Sequence, residues 1–270
     1  MKKQKYLFGD SDTAARRLEV LAEVFAGTTR TFLLDAVTAR PDLALDLGCG
    51  PGFTTHFLAD VLRCRRAIGM DSSEHFIALA NRTETRRVSF CLYDVTHVPF
   101  PTGPADLLFC RFLLTHLKDP EAVVGVWATQ LRPKGLMMME EVVWIDTSNP
   151  LFTTYLGMVE RMLAEQSNRL YIGPVLETLV QAEDLENRMS RVVTLRVPNH
   201  LAATMFFMNL QSWKQQPFIQ ASYPPETIEQ LERDLEAVAR TPDDKADIEW
   251  GLRQIALERN SQASVLYDVI

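Results

Sequence analysis

No stretch of about 18 consecutive apolar residues occurs in the 270-residue chain, and the basic start Met1-Lys-Lys-Gln-Lys runs into Tyr6-Leu-Phe-Gly-Asp without an apolar core or cleavage site. The pattern excludes a membrane span and a secretory leader, so a soluble, cytoplasmic protein with no membrane partner is expected. Positive charge is short as well. The 28 Lys and Arg against 35 Asp and Glu give a net charge of −7, without the broad cationic surface that phosphate backbones require. Nucleic acid is therefore not an expected partner. The four cysteines, Cys49, Cys64, Cys91 and Cys110, form no C-x-x-C pair, which argues against a disulfide framework and a zinc site, and no metal is expected. Internal repeats, low-complexity tracts and flexible linkers are absent too.

What is present is a hydrophobic content of 47%, ordinary for a chain that buries a core, in a length suited to one α/β domain with a helical cap. From Asp12 to about Leu34, Leu18, Leu21, Ala22 and Phe25 fall at the spacing of a helix with one buried face, giving a helical arm over 1–38. Short apolar runs then alternate with helical patterns: Leu43–Leu47, Ala67–Met70, Val88–Tyr93, Asp106–Phe112 and Leu136–Val143 read as strands. Strands separated by helices imply right-handed crossovers and a parallel sheet covered on both faces, here over 39–145. Asp119-Pro120-Glu121 has the cap, proline and acid of a helix start, and Arg132-Pro-Lys-Gly135 closes that helix. Beyond Val143 helical patterns dominate, near Leu151–Gln166, Val175–Ala182, Leu201–Lys214 and Glu226–Arg240. The stretch 146–262 thus reads as a mainly helical cap with one strand, Asn187–Val197, while 263–270 is expected to return as a final strand at the sheet edge.

The most informative stretch is Leu43-Ala-Leu-Asp-Leu-Gly-Cys-Gly-Pro-Gly52, an apolar strand that enters three glycines at alternate positions and then a helix at Phe53–Leu62. Such a turn lets a ligand press on the backbone where a Cβ would intrude, and the helix start offers unpaired N–H groups. A bare glycine turn would merely join strand to helix. Asp46 before the first glycine, the third glycine, and Asp71 at the end of the next strand argue for more. Asp71 stands about 20 residues past the glycines, where a carboxylate accepts from both hydroxyls of a ribose. It also has the position of a helix N-terminal acid beside Ser72 and Ser73. Asp94 ends the third strand in the same way. It is either an acid that takes the exocyclic amine of adenine or a plain loop acid.

On these residues the chain resembles the class I methyltransferases, whose first motif is an acid followed by G-x-G-x-G, as in Asp46-Leu-Gly48-Cys-Gly50-Pro-Gly52. Asp71 matches that family's ribose acid and Asp94 its adenine-side acid. The likeness continues through Ala105-Asp-Leu-Leu-Phe-Cys-Arg111, Leu114-Thr-His-Leu-Lys-Asp-Pro120 and Leu131-Arg-Pro-Lys-Gly135, and departs at Lys134, where a glycine is usual. The resemblance implies a Rossmann-like α/β fold with a mostly parallel seven-stranded sheet, and S-adenosylmethionine as cofactor. The expected donor set is Asp46, Gly48, Cys49, Gly50, Gly52, Asp71, Ser72, Asp94, Val95, Cys110 and Arg111. Tyr6-Leu-Phe-Gly-Asp-Ser with Arg16-Arg-Leu18 is similar to the opening of small-molecule members. That implies Tyr6 closing on the methyl group or adenosine, against the reading of a frayed terminus, and Arg17 reaching the donor's carboxylate, against that of a solvated helix face. A nicotinamide dinucleotide fits the loop less well, because Phe53 stands where its fingerprint needs the third glycine.

Methyl transfer from a sulfonium is an in-line displacement, in which positioning supplies about 7–11 kcal/mol and a general base about 10²–10⁴-fold. His116, just past the fourth strand, is the candidate base, with a plain turn cap as its other reading. Glu140 and Glu141 end the fifth strand. One is expected to face the cleft, and Glu140 is preferred there for acceptor binding or catalysis, against a salt bridge to the cap. The cap's Trp144, Phe152, Tyr155, Met158, Tyr171, Met205, Phe206, Met208 and Trp213 suggest an apolar or aromatic small-molecule acceptor, as in secondary metabolism. The alternative is a donor-binding protein of the same fold that transfers no methyl group. RNA or protein methylation is disfavoured, since Cys110-Arg-Phe-Leu stands where Asn-Pro-Pro-Tyr would mark amide methylation. Self-association stays open.

Overall fold

Ser11 opens the first helix, α1 (Asp12–Ala36), by accepting the Ala14 N–H on its side chain, with Asp12 at the positive end of the dipole. The computed structural model describes residues 9–165, 168–173, 175–176, 184–243 and 245–260. After α1 come β1 (Leu43–Leu47), α2 (Phe53–Val61), β2 (Arg66–Asp71), α3 (Glu74–Ala80), a 3₁₀ turn at Asn81–Thr83, β3 (Val88–Leu92), β4 (Ala105–Arg111) and a second 3₁₀ turn, Leu114–His116. Then follow α4 (Pro120–Ala128), β5 (Leu131–Thr147), α5 (Pro150–Glu165), β6 (Leu185–Val197), α6 (Asn199–Trp213), α7 (Pro217–Ser222), α8 (Pro225–Ala239) and β7 (Ile248–Arg259). Asp119 caps α4 with Pro120 at its first position, as its sequence predicts.

The seven strands form one sheet in the order β3-β2-β1-β4-β5-β7-β6. The chain reverses direction across the sheet between β1–β3 and β4–β5, and β7 alone runs against the other six strands. That reversal beside β1 is the topological switch point, where open α/β sheets receive ligands at the carboxyl ends of their strands. All five residues of β1 are buried, as a central strand covered by helices on both faces requires.

Two expectations are corrected in the second half. The stretch 146–262 holds two long strands rather than one, because β7 lies within it and β5 runs on to Thr147 to pair with β7 along its whole length. The edge strand is β6, with β7 inside it. The strand expected at 263–270 lies outside the described residues, as do most of the residues of the helix expected at Val175–Ala182. Arg132-Pro-Lys-Gly135 makes an irregularity in the pairing of β4 with β5, between Ala105↔Leu131 and Leu107↔Leu136. Within it Lys134 takes the left-handed conformation, φ +67°, at the position where the family pattern carries glycine.

Three layers of packing place the glycine loop. On one face Phe32 and Leu33 of α1 and Leu58 of α2 cover Ala44, Leu107, Phe109 and Met138. On the other, Val124 and Trp127 of α4 cover Leu45, Leu108, Met137 and Met139. A third core joins α5, α6 and α8 to Val20 and Phe25 of α1 and Trp250 of β7. The start of α1 meanwhile packs Ala14 and Ala15 against Phe76 of α3, where Asp10 accepts from the Ser73 hydroxyl and Asp12 pairs with His75. Helix α1 thus spans from α3 to the cap across the mouth of the switch point. Among the described residues no helix is long and apolar enough to cross a membrane, and no cluster of side chains fits a metal ion.

Candidate active site

The loop between β1 and α2 holds its shape through its backbone. The N–H groups of Gly48 and Cys49 both donate to the Met70 carbonyl, at 2.8 and 3.0 Å, and the Gly52 N–H donates to the Cys49 carbonyl. Gly48, Gly50 and Gly52 all have positive φ, at 71°, 53° and 94°. At Gly52 glycine is required twice over, since a Cβ there would lie 2.5 Å from the Phe90 ring. Gly50 faces outward, toward Leu18 of α1, and Gly48 faces Leu113. The two leucines form the roof of the loop.

Asp71 is tied to this loop. One carboxylate oxygen accepts the Gly50 N–H at 2.9 Å and the other the Ser73 N–H at 2.8 Å. The bond from Ser73 is that of a helix N-terminal acid, while the side-chain cap of α3 is Ser73 itself, and Ser72 is exposed. Burial raises the Asp71 pKa, and the N–H groups of Ser73 and Gly50 oppose that. Below the loop, Asp46 is 2% exposed and accepts from the Thr55 hydroxyl at 2.7 Å. Loss of solvent pushes its carboxyl up to about 7, against the Thr55 hydrogen bond and the charge of Arg111. A carboxyl raised in the folded state favours folding below its unfolded pKa, and that contribution fades as pH climbs to about 7. Asp46→Asn is therefore expected to gain on the unmodified protein by on the order of 2 kcal/mol between pH 4.5 and 7.5. Urea unfolding of both proteins at the two pH values measures this, and a constant difference contradicts it.

Of the other expected donor residues, Asp94 follows β3 beside Asp71, whose carbonyl accepts the Tyr93 N–H. Its carboxylate accepts from the Thr96 N–H and hydroxyl and lies near His97, the geometry of a loop acid. Val95 is buried, with its carbonyl accepting the Trp127 indole N–H at 2.8 Å. Cys49 and Cys110 are buried next to the loop and at the end of β4, and burial raises both thiols. Tyr6 lies outside the described residues. Arg17 is 4% exposed, not on a solvated face, and its charge acts on both His116 and Tyr155.

The acidic pair that ends the apolar part of β5 has a structural explanation. Glu140 faces α1 and β7, accepting from the Thr29 hydroxyl at 2.5 Å and from Gln254 at 2.6 Å. Thr29 in turn accepts from the Arg111 guanidinium at 2.9 Å, so a hydroxyl relays between a half-buried cation and a buried acid. Arg111 therefore supports the sheet from below. Glu141 faces the opposite way and accepts the N–H groups of both Leu113 and Leu114, each at 2.9 Å. Burial pushes its carboxyl up to about 8, against those two N–H groups. The Phe112 N–H donates to the Glu140 carbonyl. Three successive amides after β4 are thereby fixed, which holds Phe112 at φ +55°, a strained conformation for an aromatic residue. The clasp on 112–114 was not legible in the sequence; two adjacent acids in an apolar strand were the only signal of it.

His116 ends the 3₁₀ turn Leu114–His116 that follows β4, with Nδ1 inaccessible to solvent. Burial and the charge of Arg17 push its pKa down to about 3, so it is neutral and a weak proton acceptor at neutral pH. From Phe112 a ladder of rings leads into the cap: Phe25 at 5.0 Å, Trp250, Phe206, and Tyr155 stacked on Phe206 at 4.1 Å. Beyond it lie the Tyr155 hydroxyl, Asn209 and the Trp213 indole. Asn209 was missed in the sequence, although it sits four residues after Met205 and four before Trp213, on the apolar stripe of α6.

Residues 45–139 match the family model described as a methyltransferase domain. A trans-aconitate 2-methyltransferase of Azoarcus sp. is 32% identical over 138 residues, covering 51% of this chain and 49% of that protein. The chain spans about half or less of the length of the curated relatives it matches. Among solved structures, the plantazolicin methyltransferase BpumL in complex with a desmethyl analog and SAH superposes with a TM-score of 0.53, at 16% identity, covering 92% of this chain and 88% of that one. The [4+2]-cyclase SpnF superposes equally, at 0.53 and 17% identity, covering 87% of this chain and 81% of that one. At such identities these two likenesses concern the fold.

Proposed function

Starting from the premise that the chain carries a class I methyltransferase domain, we propose that it transfers a methyl group from S-adenosylmethionine to a small molecule. The observation that carries this is the joining of the glycine loop to Asp71, through the Gly50 N–H at the switch point of the sheet. The residues present suit that donor. The carboxylate of Asp71 offers about four lone-pair sites, so capacity is left for a ribose hydroxyl after its backbone partners Ser73, Gly50 and Ser72 are served. Beside Gly50 a Cβ would meet Leu18 Cδ1 at 3.2 Å and, among the described residues, nothing else within 4 Å. Asp94 is assigned to the adenine side, and Arg17, buried above the loop, to the donor's carboxylate. When bound, S-adenosylmethionine supplies a methyl group on a cationic sulfur. The chain's own part is orientation and exclusion of water: Leu18 and Leu113 roof the loop, and Glu141 and Glu140 fix the 112–114 backbone beside it.

Neither Glu140 nor Glu141 is free to act as a base, since both are committed to the protein's own donors, and Glu140 is not assigned to catalysis. His116 is assigned to hydrogen bonding in its neutral form. Positioning then provides the larger part of the rate, as about 7–11 kcal/mol exceeds what one proton transfer contributes. The test is mass spectrometry of a metabolite extract incubated with the protein and donor, in which a product heavier by one CH₂ is expected. Asp71→Ala is expected to weaken donor affinity by about 1–3 kcal/mol, roughly 5- to 150-fold. Calorimetric titration reads this directly, and unchanged affinity would remove Asp71 from the donor site.

A further inference from the structure

The sheet has two edges, and the chain treats them differently. At β3 the outward main chain is occupied by the protein's own residues: the Val88 N–H donates to the Thr85 hydroxyl at 3.0 Å, the Val88 carbonyl accepts the Thr85 N–H, and the Phe90 N–H donates to Glu84 at 3.2 Å. At β6, among the described residues, nothing but β7 bonds the main chain from Met189 to Val197. That stretch keeps unbroken register with β7, the one irregularity lying between Asn187 and Met189. Sheet edges are ordinarily blunted by shortness, lysine or proline, whereas β6 is 13 residues long and contains neither residue. Its side chains alternate. Met189, Val193 and Leu195 pack toward α1 and the cap, while Ser190, Val192, Thr194 and Arg196 are exposed, Val192 at 43%. Its cations are compensated within the chain, Arg191 by Asp35 at 2.7 Å, Arg196 by Glu249 and Arg188 by Glu258. The edge is therefore long, rich in β-branched residues and open to a further strand.

We propose that this edge is an interface between two copies of the chain, in which β6 pairs antiparallel with β6 of a second copy and the two sheets become one. A two-fold axis normal to the sheet sets each residue opposite one of equal parity, because opposed side chains share a face. Centred on Val193, the pairing uses the whole regular stretch Met189–Val197. Val193 then meets its own copy, Val192 meets the partner's Thr194, Arg191 meets the partner's Leu195 and Ser190 meets the partner's Arg196. No like charges are opposed. An axis one residue earlier sets Arg188 against the partner's Arg196, and one two residues earlier sets Arg191 against the partner's Arg191, both destabilising. Later axes shorten the pairing. The strand thus suits itself in one register, with β-branched pairs at the centre, Val with Val and Val with Thr, of the kind that stabilises neighbouring strands. A single pair of short strands is a small interface, so a concentration-dependent equilibrium is expected rather than a permanent dimer. This inference does not depend on the donor reading.

Sedimentation equilibrium of the full chain, from micromolar to near-millimolar concentration, is expected to show monomer and dimer in exchange. Two doubly substituted chains test the register, one carrying Val192→Glu with Thr194→Glu and the other Val192→Lys with Thr194→Lys. Each sets like charges directly opposite across the axis. Each alone is expected to dimerise at least ~10-fold more weakly than the unmodified chain, and their equimolar mixture to dimerise again as mixed pairs. Both positions are exposed, so circular dichroism of the variants should match that of the unmodified chain. A third chain, Val192→Glu with Thr194→Lys, has comparable bulk but opposes unlike charges, and is expected to keep the dimer. An unmodified chain that stays monomeric would overturn the proposal, whether another protein or the chain's own residues 261–270 cover the strand. Dimerisation unchanged in both like-charged variants, a mixture that does not re-associate, or loss of the dimer in the third chain would overturn it too, because the contact would then lie elsewhere or in another register.

Discussion

Replacing Glu140 by alanine is expected to lower the folding free energy by about 3–5 kcal/mol, the cost of stranding a buried charge. The Thr29 hydroxyl and Gln254 amide both donate to Glu140, and Arg111 donates to Thr29. Every neighbour offers a proton, so the arrangement needs an acceptor-only group, the ionised carboxylate. Alanine leaves a hydroxyl, an amide and a guanidinium without that acceptor, all between α1, β4, β5 and β7. Glu140→Gln keeps the shape and one acceptor oxygen and is expected to cost less, about 1–2 kcal/mol. Denaturant unfolding of the three proteins separates these values. A loss below about 1 kcal/mol for alanine would show that Arg111 and Glu140 are not coupled through Thr29. Donor affinity in the glutamine variant should stay close to that of the unmodified chain, as glutamine keeps the main-chain carbonyl that accepts the Phe112 N–H.

Gly52→Ala is expected to cost about 2–5 kcal/mol, the sum of about 1–2 for a side chain at positive φ and about 1–3 for overpacking. At φ +94° the added Cβ would stand 2.5 Å from one atom of the Phe90 ring, 2.6 Å from another and 3.3 Å from Ala80. Phe90 is half-buried and packs against the core under α2, so moving its ring out of the way costs packing as well. Relief must come from the loop, which carries the Gly50 N–H away from Asp71, so donor affinity should fall with stability. Gly103→Ala is the control. Gly103 also has positive φ, +71°, but open space around it, so about 1 kcal/mol is expected. Thermal unfolding of the two variants measures the difference, and equal losses would show that contact with Phe90 contributes nothing.

How far such properties were legible in the sequence depended on their range. The first five strands were found because each is a short apolar run bounded by turn residues, and β1 ran straight into its glycines. That Asp71 ends the strand next to β1 was legible from spacing, whereas its bond to the Gly50 N–H, 21 residues back, was not. Strand β7 was missed for a physical reason. Buried on both faces, with Gly251 under the Trp144 ring and Gln254 serving Glu140, it lacks the alternation that marks a half-exposed strand. Glu140 was given the wrong surroundings because Thr29 lies 111 residues away and Gln254 lies 114 residues away. Asn209 shares that difficulty, and for Arg17 burial removes the reading of a solvated face. Polar residues on helices read as solvated until packing shows otherwise.

The likeness to both a methyltransferase and a cyclase shows how little the fold alone decides, and the loop with its acid carries the assignment. The central claim is that Gly48 to Gly52 and Asp71 hold a sulfonium nucleoside rather than a phosphate-bearing dinucleotide. Side-by-side calorimetric titration of the unmodified chain with S-adenosylmethionine and with nicotinamide adenine dinucleotide tests it most directly. Saturable binding of the first at one site per chain, with no heat from the second, is the predicted result. Binding of the dinucleotide, or no binding of S-adenosylmethionine, would contradict it.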